Sequence, residues 1–399
     1  MSVLVINSGS SSLKFELFEF PKGVVKAKGI VERVGMARSR LKYTPFRKQE
    51  IVKDISAANH EKALKITLNT LLDPEHGVLD NISSIKAVGH RVVHGGEEIS
   101  DSIIVTDRVI SIIEKYIELA PLHNPANLLG INACHRLLPG VNQVAVFDTA
   151  YYHSMPPRSY LYGLPYELYE KHRIRKYGFH GTSHRYVAAR TAELMKRPKA
   201  ELKIITCHLG NGCSITATQH GKAVDTSMGF TPLEGLVMGT RCGDIDPAVV
   251  FYIMEQENMD EHKINELLNK HSGLLGLSRI GSDMRDILKA DRAGNHRAHL
   301  AVEVFIHRVQ KYIGAYMVAM NGVDAITFTA GIGENSAYIR SRVCRELKFA
   351  GVMINKNNNA SAKREKVITT LRSSVKVFAV PTNEELMIAR DTLRLIQKG

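Results

Sequence analysis

The sequence predicts an α/β protein of two domains built on one plan, and three observations carry that expectation. The apolar run 3–6 (Val-Leu-Val-Ile) stops at a polar, glycine-centred turn, Asn7-Ser-Gly-Ser-Ser-Ser12, and resumes as a strand in which Leu13, Phe15 and Leu17 alternate with Lys14 and Glu16. Far along the chain, the run 202–207 stops at His208-Leu-Gly-Asn-Gly212 and resumes as Ser214-Ile-Thr-Ala-Thr218. After each pair comes a third strand, and then strands alternating with helices. The two halves share almost no residues, so the likeness is one of plan and not a sequence repeat. A length of 399 residues suits two or three domains of roughly 100–200 residues each. Two such domains facing one another would leave a cleft between the two turns.

In order, the first half reads as strands 3–6, 13–17 and 29–34, then a helix over 57–72, where Ala63, Ile66, Leu68, Leu71 and Leu72 recur at helical spacing. Strand 85–93 follows, then helices 107–120 and 124–138, the second with Pro125 in its first turn, where proline is tolerated. A buried strand over 144–147 ends at Asp148. The second half gives strands 202–207, 214–218 and 223–226 and helices 246–258, 262–270 and 298–320. Strand 325–329 meets Ala330-Gly-Ile-Gly-Glu-Asn335, a helix covers 337–347, and strand 375–380 leads into a terminal helix 384–397.

Composition narrows the class. A hydrophobic fraction of 44% and a charged fraction of 23% are ordinary for a globular chain. No apolar stretch approaches the ~18–20 residues that span a bilayer, and Met1-Ser2 leads at once into a strand-like run without a secretory signal. The expected location is the cytoplasm, with no membrane partner. The five cysteines include no C-x-x-C pair, which argues against a disulfide framework or zinc cluster and suits a reducing compartment. Net charge is +13, but the basic residues are dispersed in short pieces at 38–40, 196–199 and 363–366. That favours a solvated basic surface drawing anionic ligands over nucleic-acid binding.

Neither G-x-x-x-x-G-K-[ST] nor G-x-G-x-x-G occurs, which weakens P-loop, protein-kinase and dinucleotide-fold readings together. Instead, three glycine turns end apolar runs, at 7–12, 208–212 and 331–335, and exposed backbone N–H groups in such turns can cradle phosphate. A hairpin uses the same residues, but three such turns, two in matching places, point to a nucleotide. The pairs His90/His94 and His180/His184 have i, i+4 spacing without the H-E-x-x-H glutamate, so donation to transferring oxygens suits them better than zinc. Arg91 precedes Val92-Val93 and Gly95-Gly96, and Arg241 lies in Gly239-Thr-Arg-Cys-Gly243; an arginine's planar fork suits carboxylate or phosphate. For Arg241 a plain salt bridge to Asp244 or Asp246 is the alternative. Asp148 and Glu384 stand at element ends, where magnesium ligands often sit, while Glu384 after Thr382-Asn383 equally reads as a helix start.

These segments together resemble the acetokinase (acetate kinase) family of the actin-like superfamily that includes the sugar kinases. The matching blocks run the length of the chain: 7–15, 89–96, 120–125, 146–150, 177–184, 208–212, 225–235, 238–247, 328–335 and 381–386. The resemblance implies two actin-like (ribonuclease H-like) α/β domains, with a nucleotide and substrate cleft between them. The first would be 1–149, completed by 385–399; the second, 150–384, would carry the nucleotide pocket and the dimer interface. It further implies reversible transfer of the ATP γ-phosphoryl group to acetate, giving acetyl phosphate and ADP, with Mg2+ or Mn2+, in a homodimer. Propionate kinase of the same family is the alternative activity. A nucleotide-dependent binding or structural protein of the actin kind is the rival from another class, but it has no use for cations around a small carboxylate.

Carried onto matching positions, Asn7, Ser10, Ser12 and Lys14 would serve the ATP phosphates, with Asn7 and Glu384 placing the metal. His208, Leu209, Gly210, Asn211 and Gly212 would hold phosphate. Asp283, Met284 and Arg285, with Gly331, Ile332, Gly333, Glu334 and Asn335, would form the nucleotide pocket. Arg91 would take the substrate carboxylate, and His180 and Arg241 the transition state. Asp148 would be the active-site carboxylate, and His123 would line the same cleft. Since acetate is already ionised at neutral pH, Asp148 is expected to orient Arg91 or a metal-bound water and not to act as a base. Val93, Leu122, Phe179 and Pro232 would wall the acyl pocket. Cys213, directly after the second turn where small Gly or Ser is also common in the family, is a departure that puts a thiol near the phosphates, and ATP protection from alkylation would test its reactivity.

Overall fold

The structure, a computed structural model, describes residues 1–362 and 365–397; Lys363 and Arg364 of the basic piece at 363–366, and the last two residues of the terminal segment, lie outside them. The chain divides into two compact units, Met1–Tyr151 with Asn383–Gly399, and Tyr152–Thr382. Among the described residues, no helix is long and apolar enough to cross a membrane.

The first unit is built on β1 (Ser2–Gly9), β2 (Ser12–Glu19), β3 (Val24–Glu32), β4 (Ser39–Pro45), β5 (Ile51–Ile55), β6 (Ile85–Val92), β7 (Ile103–Ile104) and β8 (Asn142–Phe147). They form one sheet in the order β5-β4-β3-β2-β1-β6-β8-β7. β1 to β5 run as antiparallel neighbours, while β6 and β8 lie parallel to β1. β1 is apolar without alternation because both its faces are covered. Leu4 and Ile6 join a core with Leu13, Phe15, Leu17 and Val88 under α1 (His60–Leu71), and the same core takes Ala133, Cys134 and Leu138 from the region of α3 (Asn124–Leu137). Val3 and Val5 pack on the opposite face with Val144, Val146, Ile388 and Ala389, the last two from the C-terminal helix Glu384–Ile396. That burial is why the chain's end belongs to its first unit.

The second unit repeats the plan with β9 (Lys203–Leu209), β10 (Cys213–Gln219), β11 (Lys222–Thr226), β12 (Ala325–Thr329), β13 (Lys366–Val367) and β14 (Lys376–Ala379), in the order β11-β10-β9-β12-β14-β13. β12 is parallel to both β9 and β14, and β9, β10 and β11 form antiparallel hairpins. In each unit, therefore, a run of antiparallel strands, five in the first and three in the second, adjoins two parallel ones, which is the actin-like α/β architecture the resemblance implies.

The differences have physical causes. β4 and β5 were not anticipated, although Leu41 and Tyr43 are buried and alternate with Arg40 and Lys42, because Ser39 and Pro45 at the ends hide the period. The helix Gly181–Met195 has no counterpart in the sequence reading because the side it buries begins with Gly181, Thr182, Ser183 and His184, and its apolar members are limited to Val187, Ala188 and Ala192. The glycine turn at 331–335 is a short helix, Ala330–Asn335, entered through Ala330 at φ 61.

Gly89, in β6, marks how tightly the C-terminal helix sits: an added Cβ would lie 2.4 Å from Thr392 Oγ1 and 2.7 Å from Ile388 Cγ2. Gly89→Ala is expected to lower stability by about 1–3 kcal/mol through overpacking. Urea unfolding followed by circular dichroism checks this, and an unchanged midpoint would contradict it.

Candidate active site

In the first unit, three element ends bring charge together. Arg91 lies at the end of β6 and Asp148 just beyond the neighbouring parallel strand β8, where its N–H donates to Val92 O at 3.0 Å. The Arg91 fork donates through Nη2 to Asp148 Oδ2 at 2.6 Å and through Nε to Oδ1 at 3.3 Å. Glu384, first residue of the C-terminal helix, places Oε2 3.7 Å from Arg91 Nε. The helix-start reading of Glu384 holds, since Asn383 caps that helix by accepting from Leu386 N. Asp148, only 1% exposed, holds the guanidinium protonated ever more firmly, with burial opposing and Glu384 assisting. Burial pushes the Glu384 carboxyl well above its usual value, Arg91 pulling down and Asp148 pushing up. Two carboxylates thus meet the Arg91 guanidinium.

Asn7 pairs with Lys14 across the β1–β2 hairpin, whose turn includes Ser10 and whose return strand starts at Ser12. Two asparagines of α3 hold the Arg91 segment, and one of them, Asn127, ties it to this turn. Asn127 donates to Ser8 O at 2.9 Å and accepts from Val93 N at 3.1 Å, while Asn124 accepts from His94 N at 3.1 Å. His123 stands at the N-terminal cap position of α3. Val93 is buried and Leu122 is 71% exposed. His90 shares a hydrogen bond with the Gln143 amide, and burial pulls it to about 4 and His94 to about 3, so both rings are neutral at pH 7. Among the described residues, no three His, Cys, Asp or Glu side chains gather as a metal cage.

In the second unit, His180 precedes the helix Gly181–Met195 in the left-handed region, at φ 57. A non-glycine residue there is uncommon and marks a position the surroundings over-determine. Its ring stacks on His208 with centroids 4.3 Å apart, and Nδ1 lies 2.9 Å from Ser214 Oγ. His208 is the penultimate residue of β9, the strand leading into the phosphate-type turn, and is paired with Ser214 across the β9–β10 hairpin. The turn closes by Gly210 N donating to Gly212 O at 3.1 Å, and Asn211 O accepts from Gly239 N at 2.8 Å. Leu209 is fully buried beneath it. A Cβ on Gly212 would come within 3.4 Å of His180 Nε2 and 3.8 Å of Arg241 Nη1, so ring, guanidinium and turn converge.

Arg241 does not form the salt bridge weighed as its alternative. Its Nη1 donates to Pro232 O at 3.0 Å, and it has no carboxylate partner among the described residues. Asp244 is engaged by Arg308, Tyr312 and Gly235 N, and Asp246 caps the helix Pro247–Gln256. Burial lowers the Arg241 pKa, as expected for a half-buried cation short of an anion. Phe179, beside His180, is buried and accepts the Tyr152 hydroxyl on its carbonyl.

The remaining nucleotide segment is ordered from behind. Glu334 Oε1 accepts from Ala330 N and Thr382 N, and the buried Arg340, a residue the sequence did not flag, donates to Gly333 O at 2.9 Å and Glu334 O at 2.7 Å. Asn335 Nδ2 donates to Gly331 O, and Ile332 O accepts the N–H that closes the turn. Asp283 caps the helix Met284–Arg292, with Met284 buried, and grips the exposed Arg285 fork, which draws the Asp283 carboxyl down to about 2.

Paired sheets of this order, each opening on a glycine-bearing hairpin with a cationic group nearby, define an actin-like phosphotransferase. Comparison with known proteins narrows this. The acetokinase family profile matches residues 2–390. The acetate kinase of Halothermothrix orenii is 54% identical over 397 residues, covering 100% of both chains. The crystal structure of Porphyromonas gingivalis acetate kinase superposes with a TM-score of 0.96 at 48% identity, over 99% of each chain. A propionate kinase from Francisella tularensis superposes at 0.91 with 41% identity, over 98% of this chain and 99% of that one. The chain belongs to the acetokinase family.

Cys213 is corrected by the structure. Its side chain is fully buried, its Sγ–H donates to Gly210 O, and burial pushes the thiol up to about 12. Alkylation needs an exposed thiolate. Iodoacetamide at pH 8, read by peptide mass spectrometry, is expected to leave Cys213 unmodified in the folded protein with or without ATP. ATP-dependent protection would contradict this.

Proposed function

We propose that the protein transfers the ATP γ-phosphoryl group reversibly to acetate, giving acetyl phosphate and ADP. The observation that carries this is Arg241, a half-buried guanidinium with no carboxylate partner among the described residues, beside the His180 ring and the Gly212 turn. ATP is the family's co-substrate, and acetate is carried over from the names of the relatives.

Phosphoryl transfer passes through a loose anionic state, so catalysis is mainly positioning and charge stabilisation. On this reading, Arg91 binds the acetate carboxylate, and Asp148 fixes the plane of its fork. Acetate, ionised at neutral pH, needs no base, so Asp148 works through Arg91. His180 and Arg241 donate to the phosphoryl oxygens, and backbone N–H groups of the hairpin turns at 7–12 and 208–212 take the nucleotide phosphates. His123 and Lys14 supplement them, while the segments at 283–285 and 331–335 receive the nucleoside. The donor set fits Mg2+ or Mn2+, which takes one or two carboxylates and completes its shell with water and phosphate oxygens. Glu384, whose charge burial leaves under-compensated, and Asn7 would hold it, and when bound it neutralises phosphate charge.

Acyl choice falls to Val93, Leu122, Phe179 and Pro232. One methylene discriminates by only ~1–3 kcal/mol, so propionate is a slower substrate and not an excluded one, a reading the likeness to a propionate kinase also favours. A hydroxamate assay with ATP and magnesium is expected to rank acetate above propionate and propionate above butyrate. Val93→Ala should raise propionate relative to acetate, and Asp148→Asn should raise the acetate KM as Arg91 loses its orientation. Absence of acetyl hydroxamate from the wild type would refute the function. An unchanged acyl ratio would refute the pocket.

A homodimer is part of the proposal. The helix Pro247–Gln256 buries none of its residues within the chain, leaving Phe251 71% and Tyr252 64% exposed on an apolar surface. Five free cysteines suit a cytoplasmic enzyme. Sedimentation equilibrium is expected to give twice the 44.4 kDa chain mass, and Phe251→Glu should shift it to the monomer. A wild type already monomeric at micromolar concentration would overturn this.

A further inference from the structure

The side chains behind His180 decide which edge of its ring carries a proton. Ser214 Oγ lies 2.9 Å from His180 Nδ1 and 2.7 Å from His184 Nε2. His184 Nδ1 is in turn 2.5 Å from Thr206 Oγ1. Ser214, His184 and Thr206 are fully buried, and among the described residues the Thr206 hydroxyl has no other hydrogen-bond partner. A buried hydroxyl proton left without an acceptor is costly, so Thr206 donates to His184 Nδ1. Burial keeps His184 neutral, so its single ring proton sits on Nε2 and is donated to Ser214 Oγ. The one proton of Ser214 is then directed at His180 Nδ1. The chain of donors runs from the buried end outward, and its direction is set at Thr206.

The consequence falls on the far edge of His180. With Nδ1 accepting, the neutral ring carries its proton on Nε2, the edge nearest Gly212 and Arg241. The backbone at φ 57 and the stacked His208 ring fix the orientation of that edge.

We propose that Ser214 is a positioning residue for phosphoryl transfer. Its hydroxyl, aimed by His184 and Thr206, holds His180 as the Nε2–H tautomer, so that His180 meets the phosphoryl oxygens as a neutral hydrogen-bond donor. No proton changes hands in this role, because a second proton on Nδ1 would collide with that of Ser214. The kinetic part rests on the function proposed above; the tautomer does not.

Two measurements test it. Side-chain NMR of protein labelled with 15N-histidine, assigned by the signals lost in His180→Gln, is expected to show His180 protonated on Nε2 alone at neutral pH. In Ser214→Ala both tautomers should appear. Protonation of His180 on Nδ1, or on both nitrogens, in the wild type overturns the proposal whatever the activity. In the hydroxamate assay, Ser214→Ala and Ser214→Cys should each lower kcat by about tenfold, with KM for ATP held within about twofold. The cysteine variant separates hydrogen bonding from volume. In a His180→Ala background, Ser214→Ala should change kcat by less than about twofold, because the two residues act as one unit. An equal loss in both backgrounds would make Ser214 structural and overturn the positioning role. A wild type inactive on acetate, with His180 in the Nε2–H form, would instead refute the function and leave the tautomer standing.

Discussion

The constraint on which the rest depends is that one strand in each unit is buried on both faces, with an antiparallel neighbour on one side and a parallel one on the other. β1 and β9 can satisfy their backbone only at the centre of a sheet, so the hairpin partner covers one side and a parallel strand is laid along the other. The carboxyl ends of those strands then fall at one edge of the sheet, where ligands gather in open α/β folds. The candidate residues follow this rule closely. Asn7 lies near the end of β1, Arg91 at the end of β6 and Asp148 just past β8. In the second unit, His208 is near the end of β9, Gly331 just past β12, and Thr382 shortly after β14. Chemistry is placed here by strand order before any side chain is chosen.

Charge then distinguishes the two edges. At the first, one arginine is held by two carboxylates, and Glu384 is disfavoured in its ionised form by burial and by Asp148. At the second, Arg241 donates to a carbonyl and a thioether and meets no carboxylate among the described residues. Burial thus works against the charge of Glu384 at one edge and of Arg241 at the other. Salt bridges left incomplete in this way are costly to keep without a ligand. A reaction between a nucleotide and a small carboxylate is a physical reason to keep both.

Much of this was legible in the sequence. The apolar runs at 3–6 and 202–207, each broken by a glycine turn, placed both hairpins, and the helix at 124–138 was marked by Pro125. What escaped was structure whose buried side is polar. The helix Gly181–Met195 turns small and hydroxyl-bearing residues inward, and period analysis counts only apolar ones. Asn127, Ser214 and Arg340 escaped for a related reason: each acts by a hydrogen bond to a residue remote in sequence, from Val93 N to Asn359 O. No local spacing records such a bond. The salt bridge considered for Arg241 failed differently, because Asp244 is closer along the chain than in chemistry, being already bound to Arg308 and Tyr312.

The absence of sequence repetition between two units of one plan also has a physical explanation. Around β1, the interior is Leu, Ile, Val and Phe, which pack by volume and tolerate exchange. Around β9 and β10, hydroxyls and imidazoles fill much of the same space: His184 with Thr206 and Ser214, Tyr152 with Thr216, Thr216 with Thr226, Thr191 with Thr327. Such a network is stable only when every member is satisfied, and it then fixes geometry more tightly than apolar packing does. The second unit is the one that must hold a neutral imidazole in one tautomer at a strained backbone position. The same sheet therefore needs two different interiors, one chosen for cohesion and one for the direction of its hydrogen bonds.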